Sequence, residues 1–279
     1  SEEALNHADS VIIGEAEAVW GEVLDDFAAG SLQRKYYGRE VDMDNLPPIR
    51  RDLLNKKFYH TGEIIETTRG CPVGCVFCGT QNFFGAKFRV RSPETIRKEL
   101  MTIFGSRPPQ TRWKQLLAEH WHSDIPYFVE KRLLYVTDPN FISEPEHARA
   151  VLEVFKECDI RWYGHTSFNL TRDDKMLDLM AESGCIGVNI GFESLSQINI
   201  DQMHKLQNKT AQYADCIRRL HEREIGVMGT FMVGFDDDTP QVFHQIVDFA
   251  MENRLETAFV LILTPMPGTG LFEQMSSEN

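Results

Sequence analysis

The chain has 279 residues, 42% of them hydrophobic and 25% charged, the composition of a folded globular protein rather than a disordered or fibrous one. Its formal net charge of −13 argues against a broad nucleic-acid footprint, because a diffuse acidic surface repels phosphate; the stretch from Arg89 to Arg97 is the best candidate for a local basic groove. No apolar run is long enough to cross a bilayer and no secretory signal stands at the N-terminus.

Residues 8–30 read as a strand, a turn and a helix. Ser10 to Ile13 is a short run rich in β-branched residues, Gly14 breaks it, and Ala18, Val19, Val23, Leu24 and Phe27 follow at near-helical spacing until Gly30. Residues 31–60 are polar, contain Pro47 and Pro48 and hold no periodicity, which reads as a connector. From residue 61 the pattern alternates. Strands are predicted at 63–67, 133–136, 161–166, 187–191, 227–233 and 257–263, and helices near 93–104, 145–157, 173–183, 209–223 and 240–253. Repeated βα units predict a parallel sheet, open or closed into a barrel, with its chemistry on the loops at the C-terminal ends of the strands. Residues 105–132, with Trp113, His120, Trp121 and His122, interrupt this rhythm as an insertion.

Six cysteines divide into a cluster of three and three scattered ones. Cys158, Cys185 and Cys216 sit in apolar contexts and read as small core residues. Cys71, Cys75 and Cys78 occupy one short loop, Thr68-Arg69-Gly70-Cys71-Pro72-Val73-Gly74-Cys75-Val76-Phe77-Cys78, spaced Cys-x3-Cys-x2-Cys. Clustered cysteines in a larger chain without a visible signal read as metal ligands in a reducing, cytoplasmic setting. Three thiolates can hold three corners of an iron–sulfur cubane and leave the fourth iron open, the mark of a catalytic metal site. Gly70 and Gly74 let backbone amides approach the sulfurs, and Pro72 stiffens the loop. A zinc site would need a second knuckle or a histidine, and none matches; His60 precedes the strand.

This loop, with Phe77 before its last cysteine, resembles that of the radical S-adenosylmethionine superfamily, and the resemblance extends over residues 61–270. It implies a partial (β/α)6 TIM-like barrel of the α/β class, a [4Fe–4S] cluster on Cys71, Cys75 and Cys78, and S-adenosylmethionine chelated at the open iron and cleaved to a 5′-deoxyadenosyl radical. The segment Leu133 to Phe141 resembles the family's second strand and its loop. Asp138 keeps the first of two expected acidic residues and Pro139 replaces the second. Gly191-Phe192-Glu193-Ser194, followed by Lys209, resembles the fourth-strand pattern, which implies Glu193 at the rim, where a carboxylate binds ribose hydroxyls or orders a cationic group. Ser167 and Asn169 are candidates after the third strand. The run from Gly229 to Phe235 resembles a fifth strand that packs on adenine, with Met232 in it. The expected cofactor contacts are thus Phe77, Asp138, Ser167, Glu193 and Met232.

The segment Ala8 to Glu17, then Trp20, resembles the end of a cobalamin-binding Rossmann-type domain. The implied division is 1–30 as the C-terminal remnant of that domain, 31–60 as linker and 61–279 as the barrel, with cobalamin a cofactor of the full-length protein. No Asp-x-His-x-x-Gly motif occurs. The implied function is cobalamin-assisted methylation or rearrangement of a small-molecule or lipid-like substrate, of the magnesium-protoporphyrin ester cyclase or hopanoid methylase type, with a flavodoxin- or ferredoxin-type electron donor. Two alternatives stand beside it: a tRNA methylthiotransferase-type radical enzyme, disfavoured by the absence of cysteines in residues 1–60 and by the acidic charge, and a non-catalytic iron–sulfur or zinc protein.

Overall fold

The computed structural model describes residues 2–55, 63–85, 87–105 and 133–278; most of the predicted insertion at 105–132 lies outside the described residues. The N-terminal segment forms β1 (Val11–Ile13), a 3-10 turn at Ala16–Ala18, and α1 (Trp20–Ala29), which Gly30 ends in the left-handed conformation. The stretch read as a featureless connector contributes β2 (Lys35–Tyr37), which pairs in parallel with β1, and buries Tyr36 and Met43.

Next come β3 (Glu63–Ile65), β4 (Thr68–Arg69), α2 (Thr80–Phe84), β5 (Arg89–Val90) and α3 (Pro93–Phe104). Ser92 caps α3, its hydroxyl accepting from the Thr95 amide (3.2 Å), and Pro93 fits the first turn, where no amide donor is needed. Ile96, Leu100 and Phe104 then recur every fourth residue and form its buried stripe. β6 (Leu133–Val136), α4 (Pro145–Glu157), β7 (Arg161–Thr166), α5 (Asp174–Glu182), β8 (Cys185–Glu193), α6 (Gln197–Gln202), α7 (Tyr213–His221), β9 (Gly226–Val233), α8 (Gln241–Glu252), β10 (Thr257–Ile262) and α9 (Gly270–Glu278) complete the chain.

Six of the strands form one all-parallel sheet in the order β10-β9-β8-β7-β6-β3. The strands neighbour one another in chain order, as in an incomplete (β/α) barrel, and right-handed crossovers then put the helices on one face. The side chains divide accordingly. Leu134, Val136, Trp162, Val188, Ile190, Phe192, Val227 and Phe231 point to the helix side and are buried in one apolar core. Phe141, Phe155 and Trp162 pack there with ring centroids 5.3–6.2 Å apart; each such buried aromatic contributes about 2–3 kcal/mol.

The other face carries Tyr135, Tyr163, His165, Asn189, Gly191 and Thr230, all half-buried. Parallel sheets are usually apolar on both faces. A polar row on one face is unusual, and it marks the side on which the chemistry lies. Tyr135 pairs with Tyr163 across β6 and β7, the rings stacked at 4.8 Å, and His165 pairs with Asn189 across β7 and β8.

Candidate functional site

The cysteine loop is carried on a small hairpin. β4 pairs antiparallel with β5, Thr68 with Val90 and Arg69 with Arg89, so the loop and α2 project from a two-rung base. Gly70 has φ +90°, and a Cβ there would stand 2.3 Å from the Lys87 carbonyl oxygen, so glycine is required where the chain leaves the base. Gly74 also has positive φ, +75°. The loop is tied to its surroundings by main-chain bonds: Val76 N donates to Met203 O (3.2 Å), Leu271 N to Val76 O (2.9 Å) and Cys78 N to Cys75 O (3.1 Å). The Gln81 side chain donates to Cys71 O (2.9 Å) and the Cys78 thiol to Thr80 Oγ1 (3.2 Å).

All three cysteines face one cavity of about 500 Å3 at the C-terminal ends of the sheet strands. Its walls include Phe77, Asn140, His165, Ser167, Asn189, Gly191, Glu193, Lys205, Thr230, Phe259 and Leu261. One side is therefore polar and the β10 side apolar. Tyr135 Oη hydrogen-bonds His165 Nε2 from behind, and Thr230 Oγ1 donates to Asn189 Oδ1 (2.9 Å), which fixes two polar groups of the wall. Burial lowers the pKa of His165, so its ring is neutral near pH 7.

Glu193 sits at the end of β8, where a bulge breaks the register with β9 and its own φ is +64°. Its carboxylate bonds Lys205, whose ammonium also donates to the Gly191 carbonyl (2.9 Å). Asn208 braces the same bend by donating to Gly191 O (2.9 Å) and Phe192 O (3.3 Å). The Lys205–Glu193 pair is nearly sealed from solvent, which the pairing makes tolerable. Burial pushes the Cys75 thiol up to about 11, with Lys205 opposing the shift, and also raises Cys71, toward which the Val73 amide donates.

Of the residues singled out from the sequence, Cys71, Cys75, Cys78, Phe77, Ser167 and Glu193 meet at this cavity. Asp138 and Met232 do not line it. Asp138 is fully buried: its Oδ1 accepts from the amides of Thr67 (2.7 Å) and Thr68 (3.1 Å), and its Oδ2 from the Thr67 hydroxyl. Thr67 lies in the break between β3 and β4 and Thr68 opens β4, and their amides need an acceptor there. The wall position next to it goes to Pro139 and Asn140. Met232 packs instead in a small apolar cluster with Ile200, Met203 and Phe235, behind Phe77. Asn169 also lies off the wall, its Oδ1 buried with no hydrogen-bond partner among the described residues. His165, Asn189, Lys205 and Thr230 were missed. The signal for the strand residues was available: a polar residue at every second position of a β-rich run marks the face opposite the core.

Three comparisons with known proteins bear on this arrangement. Residues 128–250 match the family model of the radical SAM superfamily. That match places residues 128–250 in a radical S-adenosylmethionine domain. It is 32% identical to bacteriochlorophyllide d C-12(1)-methyltransferase of Chlorobaculum tepidum, over 99% of this chain and 57% of that protein, and 27% identical to bacteriochlorophyllide d C-8(2)-methyltransferase of the same organism, over 98% and 59%. The chain thus spans a little over half the length of these curated relatives. In fold, this radical S-adenosylmethionine domain resembles the cobalamin-dependent S-adenosylmethionine radical enzyme OxsB with aqua-cobalamin bound, at TM-score 0.67 and 16% identity, over 100% of this chain and 41% of that one.

Domains of this family use a [4Fe–4S] cluster and S-adenosylmethionine. The donor set fits the cluster. The sulfurs ring a shared cavity without converging on a point: among the described residues, no group of three or more His, Cys, Asp or Glu is placed to hold one metal ion. A cubane takes one protein sulfur per iron, so its ligands need only surround it. Coordination would also keep Cys71 and Cys75 as thiolates in a place where burial otherwise favours the thiol. No helix among the described residues is long and apolar enough to cross a membrane.

Proposed function

We propose that this chain is the cluster-bearing core of a radical S-adenosylmethionine methyltransferase acting on a small-molecule or lipid-like substrate. The observation that carries the reading is the meeting of Cys71, Cys75 and Cys78 with the Glu193–Lys205 pair and a polar strand face at one cavity. When bound, the [4Fe–4S] cluster supplies the electron that splits the sulfonium of S-adenosylmethionine into methionine and a 5′-deoxyadenosyl radical. Cys71, Cys75 and Cys78 would hold the cluster, and three protein ligands would leave it a coordination position for the cofactor. Glu193 accepts hydrogen bonds from the ribose hydroxyls, and Lys205 holds its carboxylate in place. Ser167 lies on the same wall as a further hydrogen-bonding group, and Phe77 supplies an apolar surface. His165, Asn189 and Thr230 orient the polar edge of the substrate, while Phe259 and Leu261 receive its apolar body and help exclude water.

The similarity to two methyltransferases supports methylation over other outcomes of radical chemistry, and it makes bacteriochlorophyllide d the first substrate to test. Residues 1–30 are read as the end of a cobalamin-binding domain, 31–60 as the segment joining it to the core, and 61–279 as the radical domain. One strand and one helix do not make a corrin pocket, so no step is assigned to cobalamin on this chain. A flavodoxin- or ferredoxin-type donor and a cytoplasmic setting complete the reading. Anaerobic reconstitution with iron and sulfide, reduction with dithionite and addition of S-adenosylmethionine should give 5′-deoxyadenosine and methionine in equal amounts. A cluster-loaded, reduced protein that makes neither compound overturns the proposal.

A further inference from the structure

The base of the cysteine loop presents an electrostatic problem. Arg69 and Arg89 stand directly opposite each other on β4 and β5, their side chains only 10% and 9% exposed. Like charges at facing positions of a hairpin repel, and buried cations without partners are costlier still. The offsetting charge comes from the far end of the chain. Glu15, just after β1, accepts from Arg69 Nη1 (3.0 Å) and Arg89 Nη1 (3.0 Å) on Oε2 and from Arg89 Nη2 on Oε1, and it is itself 5% exposed. Glu17 (2.7 Å) and Glu66 (3.0 Å) take the remaining edges of the Arg69 guanidinium, but each is substantially more exposed and neither bridges the two strands. Cys71 follows Arg69 by two residues.

We propose that Glu15 is a positioning residue for the metal-binding loop: by neutralising the facing cations Arg69 and Arg89 it steadies the base from which Cys71, Cys75 and Cys78 project, which makes the N-terminal segment part of the cluster site. The inference rests on the reading that these cysteines hold the cluster. It adds that a carboxylate more than 50 residues upstream governs how firmly they do so.

The test uses the reconstituted chain and a colorimetric iron chelator. Glu15→Gln keeps the size and some hydrogen bonding of the side chain but removes the charge. Folded by far-UV circular dichroism, it should release iron about 10-fold faster than wild type, as expected from losing charge-assisted bonds to two buried cations, and the line shape of its reduced cluster in EPR should change. Glu17→Gln should change release by less than about 2-fold, because Arg69 keeps its other partners. The double variant Glu15→Gln/Arg89→Gln removes the stranded second cation and should recover slow release, which a simple loss of folding would not do. Equal release and an identical spectrum for wild type and Glu15→Gln would overturn the inference, as would a double variant no better than the single one. A wild-type chain that takes up no cluster at all would instead refute the functional reading beneath it.

Discussion

Lys205 reaches Glu193 through the space that Gly191 leaves open. The ammonium bonds the carboxylate and the Gly191 carbonyl together, and a Cβ on Gly191 would stand 2.2 Å from Glu193 Oε1 and 2.6 Å from Lys205 Nζ. The pair forms one wall of the cavity and lies close enough to Cys75 for both charges to act on its sulfur. A missing methyl group thus decides where a carboxylate points.

Gly191→Ala should therefore displace the pair while leaving the cysteine loop in place. The expected result is an S-adenosylmethionine Kd about 10-fold weaker, worth about 1.4 kcal/mol, with iron content per chain unchanged. Isothermal titration on the anaerobic, cluster-loaded protein measures it. Unaltered affinity would remove Glu193 and Lys205 from the cofactor site.

The six cysteines separate into two functional classes. Cys75→Ala should abolish cluster formation and all 5′-deoxyadenosine production. Cys185 is buried in the core away from the cysteine loop, and burial pushes its thiol up to about 12. Cys185→Ala removes one sulfur from an apolar site; a stability loss of about 1–2 kcal/mol is expected, with the cluster retained. Iron and sulfide analysis of both variants decides the point, and equal loss in the two would contradict the ligand assignment.

Asp138 makes a prediction about pH. Burial pushes its carboxyl up to about 6 despite the donors from Thr67 and Thr68, whereas in the unfolded chain it titrates near 4. Between those values the folded protein binds the extra proton, so this group's contribution to stability is greatest at low pH and is lost as pH rises through 6. Asp138→Asn lacks the titration. Its destabilisation, read from urea unfolding, should be larger at pH 5 than at pH 8 by about 1 kcal/mol. A penalty that is constant or grows with pH contradicts this.

The sheet could be read from the sequence because each strand is a β-branched or aromatic run bounded by turn residues, and the spacing of Cys71, Cys75 and Cys78 pointed to the loop that lines the cavity. Shorter features were invisible. β4 and β5 are two residues each, α2 is five, and none imposes a period long enough to detect. The connector at 31–60 hid β2 for the same reason, since Tyr36 and Met43 are buried singly among polar neighbours. Asp138 was expected at the cofactor because its loop resembles the family's acidic second-strand loop; in this structure its carboxylate accepts from the Thr67 and Thr68 amides and lies off the cavity wall. Lys205 carried no signal, because its role depends on what a glycine fourteen residues earlier lacks.

The most direct test is EPR of the anaerobically reconstituted and reduced chain, recorded with and without S-adenosylmethionine. Three protein ligands and one open iron predict a [4Fe–4S] signal whose g values and line shape change when the cofactor is added. A spectrum that is indifferent to S-adenosylmethionine, or a protein that takes up zinc in place of the cluster, would contradict the account.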